Sequence, residues 1–367
     1  MVKTVLLLDG LYYLCRDRQT KLKNSMMKRI LVVVFIVCAA LSCHKNGGGN
    51  AIIDPVPNPS FAKGADISWV TEMEASGKKF YNSGGTETEC MALLKSLGMN
   101  SIRLRAWVNP SANWNTTADV VAKAIRAKNL GLKIMLDIHY SDTWADPGHQ
   151  TKPAAWAAQD FATLKTSVYN YTLDLMNTLK TNGIMPDWVQ VGNETNDGML
   201  WPDGKASTNM VAFAQLVNAG YDAVKAVSST SKVIVHVSNG YDNNLFRWIF
   251  DGLTTNNAKW DIIGMSLYPT AANWQTLNSQ CWTNMTDMVS RYNKDVMVVE
   301  VGMPWDQAAV CKSFLTDLIN KTRSIANNRG LGVFYWEPEA LPGWSGYTLG
   351  AFDNSGKPTV ALDAFNN

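Results

Sequence analysis

Two short apolar runs of the sequence each end in a glutamate. The first is Trp188-Val-Gln-Val-Gly-Asn-Glu194, and the second, about a hundred residues later, is Val296-Met-Val-Val-Glu300. A buried strand gains nothing from an ionised end, so carboxylates in these places indicate a site. Two carboxylates at one site are the groups that cleave glycosidic bonds. At a separation of about 5–5.5 Å, one attacks the anomeric carbon while the other protonates the leaving oxygen.

Two neighbouring polar residues fit this chemistry. Asn193 precedes Glu194 and is expected to hold the 2-hydroxyl group of the bound sugar. Arg103, on an earlier apolar run, is expected to keep Glu300 ionised through a charge-assisted hydrogen bond. Taken alone, each glutamate is equally consistent with a salt bridge at a strand end. The pair together favours catalysis.

The segment His139-Tyr-Ser-Asp-Thr-Trp-Ala-Asp-Pro147 follows a third apolar run. His139 ends that run, which predicts a role in orienting a carboxylate or the sugar, the alternative being a purely structural hydrogen bond. His149 with Asp142 and Asp146 is a conceivable metal-binding set. Their spacing matches no standard metal site, so no metal is expected.

Tryptophan is frequent, with 14 residues in the chain. Core packing does not concentrate tryptophan at one end of a fold, whereas its flat rings suit the apolar faces of sugars. The sequence therefore predicts sugar platforms along a cleft, two or three of these residues being structural instead. Those at or just after predicted strand ends are Trp107, Trp144, Trp201, Trp305, Trp336 and Trp344.

Near the end of the chain, Trp336 is expected to form the floor of the subsite where the bond breaks. Tyr268 is expected to hydrogen-bond the nucleophile. Glu337 and Glu339 are alternative catalytic carboxylates, less favoured because they lie in the loop beyond a strand.

The elements that must position these residues alternate between apolar runs and longer segments of helical period, which favours βα units and a parallel sheet. Eight such units close into a single (β/α)8 TIM barrel of the α/β class, whose site lies at the C-terminal ends of its strands. A doubly wound open sheet is the alternative, but it requires a glycine-rich phosphate loop, and Asp66-Ile-Ser-Trp69 is not one. The predicted strands are Lys63–Ser68, Ser101–Ala106, Lys133–His139, Trp188–Asn193, Val233–Val237, Ile262–Leu267, Val296–Glu300 and Gly332–Trp336.

The helical patterns lie between these strands. Several of them end at a glycine just before the next strand, as in Leu97-Gly98, Leu130-Gly131 and Arg329-Gly330, which predicts helix C-caps. The predicted helices are Thr88–Leu97, Ala118–Lys128, Phe161–Thr181, Met210–Val227, Leu245–Leu253, Met285–Tyr292 and Val310–Ala326.

The first 42 residues are predicted to be an upstream extension followed by a signal peptide, with residues 61–367 as the catalytic domain. Met26-Met-Lys-Arg29 precedes an apolar stretch, 30–42, that is shorter than the about 20 residues of a membrane span. Leu41-Ser-Cys43 resembles a bacterial lipobox and predicts Cys43 as a lipidated N-terminus, the alternative being a plain cleaved signal. Residues 43–60, rich in glycine and proline, predict a flexible tether.

Charge and cysteine content limit the partners. Residues 1–42 carry seven lysines and arginines against two aspartates, so their removal takes the net charge from +2 to about −3. Neither nucleic acid nor a basic membrane-binding face is indicated. Of six cysteines, Cys90, Cys281 and Cys311 remain in the domain, and the spacing leaves a Cys281–Cys311 disulfide open.

The motifs together resemble glycoside hydrolase family 53, the endo-β-1,4-galactanases, from about Phe61 to the C-terminus. The matching segments are Gly64-Ala-Asp-Ile-Ser68, Arg103-Leu-Arg-Ala-Trp-Val-Asn-Pro110, Asp137-Ile-His-Tyr-Ser-Asp-Thr-Trp-Ala-Asp-Pro147, Gly192-Asn-Glu194, Leu200-Trp-Pro202, Gly264-Met-Ser-Leu-Tyr-Pro269, Val298-Val-Glu300 and Phe334-Tyr-Trp-Glu-Pro338.

The resemblance implies a retaining mechanism on β-1,4-galactan, with Glu194 as acid/base and Glu300 as nucleophile. No cofactor is implied. Relatives that bind calcium do so in a long loop after the seventh strand. Here Val301-Gly-Met-Pro-Trp-Asp306 leads almost directly into a helix, so no structural calcium is expected. Carried over position by position, the resemblance implies that the close neighbours of the cleaved bond are Arg103, His139, Asn193, Tyr268 and Trp336. The predicted substrate-binding set also includes Trp144, Trp107 and Asp137.

The leading hypothesis is therefore a monomeric endo-galactanase tethered to the outer membrane by a lipid. The nearest rival is another retaining barrel glycanase that cuts mannan, xylan or glucan with the same two glutamates. A non-catalytic glycan-binding lipoprotein is the rival of a different class. It is disfavoured because a binder gains nothing from burying two carboxylates close together.

Overall fold

The computed structural model describes residues 61–366. The predicted extension, signal peptide and tether (1–60), with Cys43, lie outside the described residues and stay predictions. Among the described helices, none combines the length and the apolar character needed to cross a membrane.

Eight parallel strands close into a barrel in sequence order, with β1 paired to both β2 and β8. The predicted barrel is confirmed, and the open-sheet alternative is wrong. A small antiparallel pair, Gly198–Met199 with Gly204–Lys205, lies in the loop after β4. The barrel strands are β1 (Ala62–Asp66), β2 (Ser101–Ala106), β3 (Lys133–Ile138), β4 (Trp188–Val191), β5 (Lys232–Val237), β6 (Ile262–Leu267), β7 (Asp295–Val301) and β8 (Gly330–Trp336).

The α-helices of the described chain lie between these strands, with short 3₁₀ turns in the longer loops. Where a polar side chain precedes a helix, it often caps the first turn: Thr116 accepts a hydrogen bond from the Asp119 N–H, and Asp160 from the Thr163 N–H. The helices are α1 (Val70–Ala75), α2 (Cys90–Ser96), α3 (Thr117–Asn129), α4 (Phe161–Thr181), α5 (Ala206–Val227), α6 (Asn243–Thr255), α7 (Trp274–Tyr292) and α8 (Ala308–Arg323).

Two predictions about these helices were wrong. Helix α7 begins at Trp274 rather than at the predicted Met285. Its buried face includes two asparagines, Asn278 and Asn284, which interrupt the apolar pattern from which the helix was predicted. The Asn278 side-chain amide donates to the Phe314 carbonyl, and the Asn284 side-chain amide donates to the Gly240 carbonyl. These hydrogen bonds to other elements satisfy the buried amides.

The second error concerns the turn before β8. Helix α8 ends at Arg323, and Gly330 is the first residue of the strand rather than a helix cap. Its role is close approach, since a Cβ there would lie 1.9 Å from the Thr322 carbonyl oxygen.

Inside the barrel, inward-facing residues form two layers of opposite character. The layer nearer the N-terminal ends is apolar, and Gly64 makes room for Phe334, whose ring lies where a Cβ would sit. The apolar layer consists of Ala62, Met135, Trp188, Ile234, Ile262, Met297, Val299 and Phe334. The layer above it is polar and consists of Asp66, Arg103, Asp137, Gln190, His236, Ser266 and Glu300.

A β-bulge in β7 turns Glu300 into this polar layer. Met265 of β6 pairs with Val298, but the next residue, Ser266, pairs with Glu300, so Val299 is an extra residue. Val299 belongs to the apolar interior, and strict alternation would therefore aim Glu300 outward. The bulge breaks the alternation and directs the carboxylate into the barrel mouth.

The three cysteines of the described domain are free and buried. Cys281 Sγ lies 3.6 Å from Met265 Sδ, and Cys311 Sγ lies 3.8 Å from the Tyr335 hydroxyl. The Cys281–Cys311 disulfide that the spacing left open is not formed.

Candidate active site

One cleft of ≈ 650 Å³ lies at the C-terminal ends of the strands. Of the predicted site residues, Arg103 and Asp137 are buried beneath it and reach it only through their partners. The predicted residues that line the cleft are Glu194, Glu300, Asn193, His139, Tyr268, Trp107, Trp144 and Trp336.

Glu300 receives a donor on each carboxylate oxygen. Arg103 contacts Oε1 at 2.8 Å, and the Tyr268 hydroxyl donates to Oε2 at 2.9 Å. Both contacts were predicted from the sequence. They favour the ionised form of Glu300, which a nucleophile requires.

Arg103 is fully buried and carries the only positive charge of a cluster of four ionisable groups. Besides Glu300, it contacts Asp66 at 2.7 Å and Asp137 at 2.9 Å. Burial disfavours a charged guanidinium, but the three carboxylates raise the pKa of Arg103 above its ordinary value. It therefore stays ionised and holds the carboxylates around one centre.

Glu194 lies three residues beyond the end of β4, and Gly192 and Glu194 both have left-handed backbone dihedrals, with φ of +82° and +44°. The Glu194 and Thr195 amides donate to the His236 ring and carbonyl, respectively, which holds this strained turn against β5. The side chain accepts a hydrogen bond from the Ser266 hydroxyl, 2.8 Å from Oε1.

The two glutamates differ in what stabilises their charge. Burial raises the pKa of Glu194 to about 7, with Ser266 and Arg103 opposing the rise. Burial and the charge of Glu194 also raise the pKa of Glu300, against the effect of Arg103. Because Glu300 has a direct ion pair and a hydroxyl donor while Glu194 has one hydroxyl donor, the proton that the pair retains near neutral pH belongs on Glu194.

His139 connects the buried cluster to the wall of the cleft. Its Nδ1 accepts from the Ala145 amide at 3.0 Å and from Trp107 Nε1 at 3.3 Å, so Nε2 carries the proton and donates to Asp137 at 3.0 Å. Burial lowers the pKa of His139, which keeps the ring neutral. His139 therefore hydrogen-bonds a carboxylate, one of the partners expected of it, and also accepts from a tryptophan.

Tryptophans form one wall of the cleft. Trp144 is 37% exposed, and its ring packs edge-on against two others. The ring centroids lie 5.3 Å apart for Trp107 and 5.9 Å apart for Trp336. Beneath Trp144 lies the guanidinium of Arg105, 4.1 Å from its ring centroid and paired with Glu337 at 3.1 Å. A buried cation thus supports an exposed aromatic surface of the kind that sugars stack on.

Other candidates lie elsewhere. Trp201, Trp305 and Trp344, which the sequence also offered as sugar platforms, do not line the cleft. Glu337 and Glu339 are fully buried outside it.

The histidine and aspartates of the conceivable metal set also have other partners. Asp142 accepts the Asn109 and Ala154 amides, and His149 contacts Asp146 on the surface. Within residues 61–366, no group of three or more His, Cys, Asp or Glu side chains is arranged to hold a metal ion.

Several site residues were missed from the sequence. Three aromatic residues line the cleft from loops: Trp69, Trp114 and Tyr347. The ring centroid of Tyr347 lies 4.7 Å from that of Trp336. Those in the polar layer carried a usable signal, since each is a polar residue at an inward position of an otherwise apolar strand. They are Asp66, Gln190, His236 and Ser266.

A closed parallel barrel with two buried carboxylates at its C-terminal mouth, beneath a tryptophan-lined cleft, defines a barrel-type glycoside hydrolase. The family model of glycosyl hydrolase family 53 matches residues 62–312 and 307–365. The chain belongs to that family.

Individual relatives agree with this assignment. An arabinogalactan endo-β-1,4-galactanase of Thermothelomyces thermophilus is 35% identical over 83% of this chain and 98% of its own. A solved fungal β-1,4-galactanase superposes with a TM-score of 0.77 at 32% identity, covering 83% of this chain and 98% of its own. The GH53 catalytic domain of Ignisphaera aggregans gives 0.76 at 30% identity, covering 86% and 98%.

Proposed function

We propose that this enzyme hydrolyses internal β-1,4-galactosidic bonds of galactan, the side chain of type I arabinogalactan, with retention of anomeric configuration. The observation that carries the proposal is the asymmetry of the two glutamates in one cleft. Glu300 has an ion pair with Arg103 and a hydroxyl donor in Tyr268, whereas Glu194 has only the Ser266 hydroxyl, so the shared proton belongs on Glu194. This is the division of labour that double displacement requires.

In the first step, a Glu300 carboxylate oxygen bonds to the anomeric carbon while Glu194 gives its proton to the departing glycosidic oxygen. The products are a glycosyl ester of Glu300 and a free sugar hydroxyl. In the second step, Glu194 takes a proton from water, the water oxygen displaces Glu300, and both carboxyl groups return to their starting states.

The sugar is held by groups already in place. The Asn193 side-chain nitrogen donates one of its two N–H groups to the Ala145 carbonyl, at 2.8 Å. The second N–H is left for the 2-hydroxyl group of the sugar. Trp336, Trp144 and Trp107 supply stacking surfaces along the cleft. The choice of galactan rests on the galactanases that this chain resembles over nearly their whole length.

The purified domain should depolymerise β-1,4-galactan and leave mannan, xylan and β-glucan intact. Sizing the products over time should show long oligosaccharides first, as internal cleavage requires, and proton NMR should show the β-anomer before mutarotation. Efficient cleavage of another glycan would assign the enzyme to the rival glycanase class. Release of monosaccharide alone from the first time point would contradict endo action.

The same proposal places the enzyme on the outer membrane as a lipoprotein, acting as a monomer. The lipid anchor is supported by the basic segment, the short apolar stretch and Leu41-Ser-Cys43 in the sequence. In a bacterial host, the full chain should incorporate labelled palmitate and sediment with membranes, whereas Cys43→Ser should lose the label. Cys90→Ser serves as the matched control, and label retained in Cys43→Ser would contradict the anchor.

A further inference from the structure

The acid/base Glu194 stands at the end of a line of buried polar groups to which the two-step mechanism assigns no role. Its Oε1 accepts from the Ser266 hydroxyl at 2.8 Å. The Ser266 oxygen in turn lies 2.7 Å from Nε2 of His236, a fully buried imidazole. The direction of these bonds depends on which nitrogen of His236 carries the proton.

The surroundings of Nδ1 answer that question. The Glu194 backbone amide, which is always a donor, points at Nδ1 from 3.3 Å. The Gln190 side-chain nitrogen lies 2.9 Å from the same atom. Asn193 Oδ1 is also 3.0 Å from Nδ1, but that oxygen already accepts from Arg103 at 3.0 Å. Of the two Gln190 N–H groups, one is committed to Asp137, and the other points between Nδ1 and Asn193 Oδ1, which lies 3.1 Å away. The Glu194 amide has no such alternative and makes Nδ1 an acceptor.

The orientation of the Gln190 amide is set from both ends. Its oxygen accepts from Arg103 Nε at 3.3 Å and from a terminal nitrogen of Arg103 at 3.2 Å. Its nitrogen donates to Asp137 at 2.6 Å. An arginine only donates and a carboxylate only accepts, so the amide cannot be turned round.

Nδ1 of His236 is therefore an acceptor. Burial and the nearby charge of Arg103 lower the pKa of His236 well below its ordinary value, so the ring is neutral and its single proton is on Nε2. Nε2–H donates to the Ser266 oxygen. The one hydroxyl proton of Ser266 is then committed to Glu194.

From this geometry we infer that His236 and Ser266 are positioning residues for Glu194, which they bind through a hydrogen-bond chain of fixed direction beginning at Arg103. The same guanidinium thereby holds the nucleophile directly and the acid/base through Gln190, His236 and Ser266. The inference rests on the proposed roles of Glu194 and Glu300.

The chain has two consequences for catalysis. With Oε1 occupied, Oε2 is the oxygen that carries the proton to the leaving group. Because a donated hydrogen bond favours the ionised carboxylate, Ser266 also lowers the pKa of Glu194 against the effect of burial, toward the range where one group serves as acid and then as base. The other charged groups acting on Glu194 are Arg103, Asp137, Asp146 and Glu300.

The test measures kcat/KM as a function of pH for the wild-type enzyme and for the Ser266→Ala variant, both as the full chain, on two aryl β-1,4-galactobiosides. Departure of phenol needs the proton of Glu194, whereas departure of 2,4-dinitrophenol does not. With the phenyl substrate, activity should fall above pH about 7 in the wild type, as Glu194 loses its proton. In Ser266→Ala, this alkaline limb of the pH profile should move to higher pH by about one unit. At pH values below the limb, kcat/KM on the phenyl substrate should drop about tenfold.

With the dinitrophenyl substrate, the same variant should change kcat/KM by less than about twofold, since glycosylation then needs no acid. Ser266→Thr keeps the hydroxyl and should restore the wild-type limb. His236→Gln should shift the limb in the same direction, and the double variant should match Ser266→Ala, because both changes break one chain.

An unmoved limb in Ser266→Ala, or an equal loss on both substrates, would overturn the inference. A wild type that rejects galactobiosides would instead overturn the proposed substrate. The comparison would then be made on the phenyl and dinitrophenyl glycosides of the glycan that is cleaved, so the two failures are distinguishable.

Discussion

Replacing Glu300 by alanine should lower kcat on galactan by about 10⁴-fold or more, because the covalent intermediate can no longer form. The fold should survive, since one of three carboxylates is removed from around a single guanidinium. Calorimetry should therefore still detect binding of galacto-oligosaccharides, and thermal unfolding should not occur at a lower temperature than in the wild type.

Azide separates the two glutamate roles. With the dinitrophenyl galactobioside, azide enters Glu300→Ala from the face that the nucleophile left and should yield the inverted α-azide. Glu194→Ala still forms the ester of Glu300, so azide should yield the retained β-azide. The two variants thus control for each other. A β-azide from Glu300→Ala, or galactan turnover near the wild-type rate, would refute the nucleophile assignment.

Replacing Arg103 by methionine should destabilise the fold by about 3–5 kcal/mol, measured by urea unfolding at pH 8, because three buried carboxylates lose their counter-charge. The matched control is Arg126→Met. Arg126 also contacts two carboxylates, Glu74 and Glu89, but its side chain is 28% exposed. Its replacement should cost about 1 kcal/mol or less.

The deficit of Arg103→Met should shrink as the pH falls. Arg103 holds the pKa of Asp137 below its ordinary value, against the effect of burial. Without it, the folded-state pKa of the buried carboxyls rises above the unfolded value. Such groups destabilise the fold above their unfolded pKa, and protonation relieves them as the pH falls toward it. Equal deficits at pH 8 and pH 5, or a loss no larger than that of Arg126→Met, would contradict the buried-cluster account.

Much of this molecule is encoded in local pattern. The apolar runs that become β1–β8 are continuous because a barrel strand is buried on both faces, so their number and order are legible without coordinates. The two glutamates stand out for the same reason, since a carboxylate interrupts such a run conspicuously. Arg103, on the second strand, and Tyr268, just after the sixth, were both expected to bind Glu300, and both contact it.

The polar layer was harder to recognise. Gln190, His236 and Ser266 are single polar residues inside apolar strands, and a lone polar residue there is ordinarily satisfied by the backbone. Their connection exists only because β4, β5 and β6 stand side by side, which places residues 76 positions apart, from Gln190 to Ser266, in one hydrogen-bond chain. The predicted helix α7 was too short for a related reason, because the hydrogen-bond partners of its buried asparagines lie on other elements.

What the sequence alone determined is the barrel, its open end, and the presence there of two carboxylates and a set of tryptophans, because periodicity and strand ends are local properties of the chain. The direction in which Glu300 points was decided only by tertiary structure, since the bulge at Val299 depends on the register between β6 and β7. The ionisation states of the two glutamates were decided there as well. Burial and neighbouring charges set them, and both come from strands distant in sequence.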